Sequence, residues 1–124
     1  MANEILGWVS VLAGLAMGLY MGLKFQRADW LGGYIAFPRR MVRLAHVALV
    51  ALGILNIQFA QSLPRIQVGA TTATVASFAF MAAAVLMPAC CLWMAVRRSH
   101  FEIFAAPVSC LAAGLVLTIG GLIR

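Results

Sequence analysis

The sequence predicts an all-α integral membrane protein: four transmembrane helices in a small bundle, with both termini on the non-cytoplasmic side. Three observations predict this. Of 124 residues, 65% are hydrophobic and only 10% are charged, against roughly half and about a quarter in soluble domains; the mean hydropathy is +1.02. The apolar residues gather into four runs, each close to the ~20 residues a bilayer requires. The Lys and Arg residues collect in alternate connections between those runs. Together these observations exclude a disordered tail, a disulfide-stapled secreted domain and an ordinary cytosolic enzyme.

The first run, about 5–23, extends from Ile5 to Leu23 and stops at Lys24. The second, about 44–63, opens after Arg39, Arg40 and Arg43 and closes before Pro64. Thr71, Thr72 and Thr74 lead into the third, about 72–96, which closes at Arg97-Arg98. Pro88 lies inside it and predicts a kink, or accommodation by neighbouring groups. The fourth, about 104–123, carries Pro107 in its first turn, where a missing N–H is tolerated.

Charge then sets direction. The basic interfacial loop 24–43 holds Lys24, Arg27, Arg39, Arg40 and Arg43, and the third connection holds Arg97 and Arg98. Only Arg65 and Arg124 fall on the other side. The positive-inside rule places the seven basic residues in the cytoplasm, and a bacterial inner membrane is the expected location. The net charge of +6 therefore reads as a topology signal and as contact with anionic lipid headgroups rather than as nucleic-acid binding. The start Met1-Ala2-Asn3-Glu4 has no basic n-region and predicts no cleavable signal. The three cysteines all lie in apolar runs and make no extracellular disulfide framework.

Leu19-Tyr20-Met21-Gly22-Leu23-Lys24 and Leu92-Trp93-Met94-Ala95-Val96-Arg97 close the first and third runs alike. Either a duplicated helical hairpin or ordinary interface chemistry accounts for the likeness. Ser10, Gly14, Gly18 and Gly22 repeat every four residues, which lays a groove of small side chains along one helix face and invites close packing, with an intramolecular partner expected. Ala106, Cys110, Gly114 and Thr118 repeat that spacing in the fourth run. In loop 24–43, Trp30, Tyr34 and Phe37 are interleaved with the basic residues, and Gly32-Gly33 marks a break. Such a segment lies on the bilayer surface or docks anionic lipid or a partner subunit.

Ionisable groups within a bilayer are the first suspects for function. Glu4 and Glu102 lie at span ends and Asp29 in a loop, so no carboxylate is mid-membrane. Small multidrug exporters have four spans and a similar length but require a membrane-embedded Glu in the first span, which is missing here. Small fluoride channels match in size too, but Thr71-Thr72-Ala73-Thr74 does not reproduce their Thr-Thr-Phe-Ser-type motif.

His46 is the best single candidate, just inside the basic boundary of the second span, with Gly53 on its helical face leaving room for a flat ring. His100 falls near the same membrane level. Imidazole ligates haem iron or hydrogen-bonds a quinone carbonyl, so the pair is a candidate haem b or quinone site, set against the commoner reading of a structural or interfacial histidine. Met87, Cys90, Cys91 and Met94 line one helix face with Cys110 at similar depth. Soft sulfur suits Cu(I), but these residues also pack as adaptable apolar groups, and no metal site is predicted. Asn56, Gln58 and Gln61 read as hydrogen-bonding glue between helices.

The expected role is a non-catalytic accessory subunit of a larger membrane complex, of the energy-transducing electron-transfer kind, with larger membrane subunits as partners. A haem b- or quinone-binding electron-transfer subunit using His46 is the alternative. A small oligomeric transporter or channel is the third reading.

Overall fold

A computed structural model describes residues 1–98 and 100–123; Arg124, one of the two basic residues counted on the terminal side, lies outside the described residues. Among the described residues, four helices make up the fold: α1 (Ala2–Leu23), α2 (Phe37–Ser62), α3 (Ala70–Val96) and α4 (Ala105–Leu122). Three short 3-10 turns, Trp30–Gly32, Leu63–Arg65 and Phe101–Phe104, occupy the connections. All four helices are long and apolar enough to cross a membrane. Among the described residues there is no strand.

Each helix packs chiefly on its sequence neighbour, α1 on α2, α2 on α3 and α3 on α4, while α1 reaches α3 only slightly. The bundle is therefore serial, with α1 and α4 on its flanks. The direction alternates. Asn3 meets Asn56 and Ser77 at one end, where the Gln67 N–H also donates to the Gly121 carbonyl at 2.9 Å. At the other end, Phe37 packs edge-on against Phe101. That end gathers Lys24, Arg27, Arg39, Arg40, Arg43, Arg97 and Arg98, and is called the basic end below.

α2 starts at Phe37, seven residues before the apolar run begins. Pro38 in the first turn has no N–H to lose there and a preset φ. Arg39, Arg40 and Arg43 are consequently helical residues, not part of a loop. α3 runs unbroken through Pro88, which is buried. The carbonyl four residues earlier, Ala84, forfeits its helical donor by covalent necessity, but the helix does not end there.

Small residues fix the tightest contact. A Cβ added at Gly7 would lie 2.6 Å from the Gly53 carbonyl oxygen, and one at Gly53 would lie 2.8 Å from that of Gly7. The two backbones touch, which only glycine at both positions allows. Ser10 and Gly14 continue the buried face, with Gly14 against Val50 and Leu49. Gly22 departs from the expected groove, since nothing lies within 4 Å of its added Cβ. The second small-residue face is also rotated: Ala106 is exposed, whereas Pro107, Gly114 and Gly121 are buried at intervals of one heptad. Gly114 seats the Phe80 ring 3.1 Å from where its Cβ would be.

Two apolar clusters fill the middle. Ala48, Leu52 and Ala84 pack with Leu6, Met87 and Leu111; Phe59, Ala76 and Phe80 pack with Ile66, Leu111 and Leu117. Away from the basic end, a polar knot ties three helices. Asn3 Nδ2 donates to Asn56 Oδ1 at 2.9 Å and to the Ser77 carbonyl at 3.1 Å, and the Ser77 hydroxyl donates back to Asn3 Oδ1. Asn56 Nδ2 donates to the Leu52 and Phe80 carbonyls at 3.0 and 3.1 Å. Asn3 and Asn56 are buried, and no buried side-chain polar atom among the described residues lacks a partner. Hydrogen bonds of this kind each stabilise a membrane bundle by roughly 0.6 kcal/mol, up to about 1.7.

The Gly7–Gly53 contact generates a prediction with an internal control. Gly53→Ala should destabilise the bundle by about 1–3 kcal/mol, because a backbone must shift to admit the methyl. Gly22→Ala should be neutral or stabilising by up to ~1 kcal/mol, since space is open and alanine favours the helix. Unfolding in mixed detergent–SDS micelles reads both; equal effects would show that the α1–α2 backbone contact is not tight.

Candidate functional site

His46 lies on the α1-facing side of α2, about 13 Å of helix beyond Phe37. Its Nδ1 is 2.8 Å from the Gly14 carbonyl oxygen. A carbonyl only accepts, so Nδ1 carries the proton, and when the ring is neutral Nε2 carries the lone pair. Gly18 makes room for this ring: a Cβ there would meet His46 Cε1 at 2.8 Å. Gly53 does not supply the room expected for a flat cofactor, because Gly7, Ser10 and Val11 of α1 fill the space beside it.

Beyond the ring, at the basic end, opens a cleft of about 260 Å³. Gly18, Met21 and Gly22 form its α1 wall, His46, Arg39 and Arg43 its α2 wall, and Phe25, Trp30 and Tyr34 its outer side. The connection that carries these aromatics folds back over the helix ends. Leu31, Gly32 and Gly33 all have positive φ, at 55°, 84° and 103°. Two glycines accept that conformation freely, while Leu31 holds it at a cost of about 1–2 kcal/mol.

Arg39 holds the connection in place. It is 4% exposed, and its guanidinium donates to the Phe25 carbonyl at 3.1 Å and the Arg27 carbonyl at 3.4 Å. Its Cζ also sits 5.3 Å from the Trp30 ring and 5.2 Å from the Tyr34 ring. Arg43 lies over the other side of the site, 4.7 Å from the Tyr34 ring, donating to the Tyr34 carbonyl at 3.2 Å. None of these partners is a carboxylate. Both cations are stabilised by carbonyl dipoles and ring faces, which leaves the cleft with an excess of positive charge.

The other sequence candidates are distributed as follows. His100 is exposed at the start of the Phe101–Phe104 turn and is not among the residues lining the His46 cleft, so the two histidines do not form one site. Lys24 lies over Tyr20 at 5.9 Å and Arg97 over Trp93 at 5.3 Å. These pairs give the two similar helix endings the same aromatic–cation closure. Arg98 lies over Phe37 at 5.6 Å, and Arg40 is exposed. Of the sulfur residues, Cys91 and Met94 are buried, Met87 packs in the core, and the Cys90 thiol faces the Ile103 carbonyl at 3.5 Å. Among the described residues, no three His, Cys, Asp or Glu side chains gather as a metal site would require. Gln58 and Gln61 are exposed, so the interhelical glue is Asn56 with Asn3 and Ser77.

The Arg39 clamp predicts local loosening without global unfolding. Arg39→Ala should speed hydrogen exchange across 27–35 by about tenfold or more, equivalent to roughly 1.4 kcal/mol. Exposed Arg40→Ala should leave it unchanged. Equal protection in both variants would remove Arg39 from this role.

No protein-family model matches the chain, and no curated protein or solved structure is significantly similar to it.

Proposed function

We propose that the chain is a non-catalytic membrane subunit that binds the headgroup of a quinol at the His46 cleft and serves an electron-transfer complex. One observation carries this reading: the Nδ1–H of His46 is committed to the Gly14 carbonyl, so in the neutral ring it is Nε2 that is left as an acceptor beside an aromatic-walled cleft. A quinone carbonyl finds no proton on that nitrogen, whereas a quinol hydroxyl donates to it. The reduced ring is thus the form that His46 favours. The free N–H groups of Arg43 supply donors for the second ring oxygen, and Trp30, Tyr34 and Phe25 supply flat faces. The isoprenoid tail of such a ligand stays in the bilayer.

Size favours a single ring. A volume of about 260 Å³ falls below the ~300–1,000 Å³ usual for drug-sized ligands. A haem would have to displace the connection that Arg39 clamps. The same histidine geometry suits an axial iron ligand, whose second nitrogen characteristically donates to a carbonyl, so the experiment includes that outcome. A transport path receives less support, because the buried amides satisfy one another.

In this reading the seven Lys and Arg residues of the basic end face the cytoplasm from a bacterial inner membrane, as the positive-inside rule favours, and both termini lie on the opposite side. The outer faces of α1 and α4 expose Trp8, Leu12 and Leu15, and Val116 and Ile119. These faces meet lipid and leave broad surfaces for larger subunits.

The test uses protein in nanodiscs with Trp8 and Trp93 replaced by Phe, leaving Trp30 as the reporter. A short-chain quinol should quench it saturably, and His46→Ala should weaken binding by about tenfold, as loss of a ~1.4 kcal/mol hydrogen bond requires. Gly14 keeps its helical donor in that variant, so the fold should survive. Linear, His46-independent quenching would mean membrane partitioning and defeat the proposal. A haem absorption band that co-purifies with the protein and disappears in His46→Ala would replace quinol by haem.

A further inference from the structure

A second feature of the basic end lies on the adjoining face of α2, with Arg43 at the border between the two. Arg40, Arg43, Leu44 and Val47 line a surface recess of about 360 Å³. Leu44 and Val47 also line a groove of about 430 Å³ that continues between α2, α3 and α4 past Ala51, Met87, Phe104 and Val108. The recess and groove are therefore continuous, cationic at the helix end and wholly apolar beyond it. Residues 40, 44, 47 and 51 form one stripe along α2. From Arg40 to Ala51 that stripe extends about 16 Å, close to half of a ~30 Å hydrocarbon core.

We propose that this stripe is a binding site for one anionic phospholipid of the basic-end leaflet. The lipid phosphate sits between Arg40 and Arg43, and an acyl chain follows the groove toward the bilayer centre. Charge and length select this occupant. Arg40 and Arg43 line the recess with no acidic side chain among its lining residues, so a headgroup of net negative charge is preferred over a zwitterionic one. The groove presents no polar group, and its one-leaflet depth suits an acyl chain. Leu44 and Val47 are about half exposed, at 45% and 55%, which leaves the shared segment accessible from the membrane. The two sites share Arg43, but neither Arg40 nor Ala51 lines the His46 cleft, so variants at those two positions test the lipid site separately from the quinol reading.

Electron paramagnetic resonance with spin-labelled lipids tests this in phosphatidylcholine vesicles. Wild type should hold labelled phosphatidylglycerol over labelled phosphatidylcholine by at least about fivefold, and Arg40→Gln should bring the two near parity. Ala51→Phe, at an exposed position, should reduce the immobilised fraction of phosphatidylglycerol while leaving quinol-dependent Trp30 quenching intact. Equal retention of both labels by wild type overturns the proposal, as does a preference that survives Arg40→Gln. Retention unchanged by Ala51→Phe would remove the groove from the site.

Discussion

The backbone contact between α1 and α2 is the constraint on which the rest depends. Gly7 and Gly53 bring the two helices together where neither tolerates a side chain, and Gly14 and Gly18 extend that proximity toward the basic end. In lipid there is no hydrophobic drive to join apolar helices, so association rests on dispersion at close range and on hydrogen bonds. The contact supplies the first directly. It also enables the second, because only a closely held α1 brings the Gly14 carbonyl within 2.8 Å of His46 and Asn3 within 2.9 Å of Asn56. The same glycines that secure the fold thus fix the tautomer of the one imidazole in the cleft.

The basic end is organised by a different economy of interactions. Its cations are held by rings and carbonyls, not by carboxylates: Arg39 by Trp30, Tyr34, Phe25 and Arg27, Arg43 by Tyr34, and Arg97 by Trp93. Such contacts stabilise a guanidinium without neutralising it. Local order is achieved and the positive field remains available for a ligand or for headgroups. Two neighbouring recesses open into that field on adjoining faces of α2, and Arg43 lines both.

The four helices were legible because bilayer thickness imposes a length and forbids charge within it, leaving long apolar runs with basic borders. The start of α2 was less so. Arg39, Arg40 and Arg43 read as loop by hydropathy, but hydropathy reports only what enters lipid, while a helix continues wherever Pro38 and its followers permit. The stripe from Ser10 to Gly18 was visible in its four-residue spacing. Gly7 and Asn3 were not, though Asn3, Gly7, Ser10 and Gly14 alternate by four, three and four as one buried helix face does. His46 was identifiable as a polar residue inside a span border. Its bond to the Gly14 carbonyl depended on how closely α1 packs, and the buried role of Arg39 on how the 24–36 connection folds back, neither of which a local pattern encodes.

The central claim is that α1 presents a backbone carbonyl to His46 and thereby leaves Nε2 as a standing acceptor. Nitrogen-15 NMR of ring-labelled histidine in the membrane-reconstituted protein, with His100→Gln to isolate the signal, measures this directly. The account predicts a neutral ring with a protonated, hydrogen-bonded Nδ1 and an unprotonated Nε2, and loss of that pattern when Gly53→Leu forces α1 away. A ring protonated at Nε2, or one averaging freely between tautomers, would contradict it.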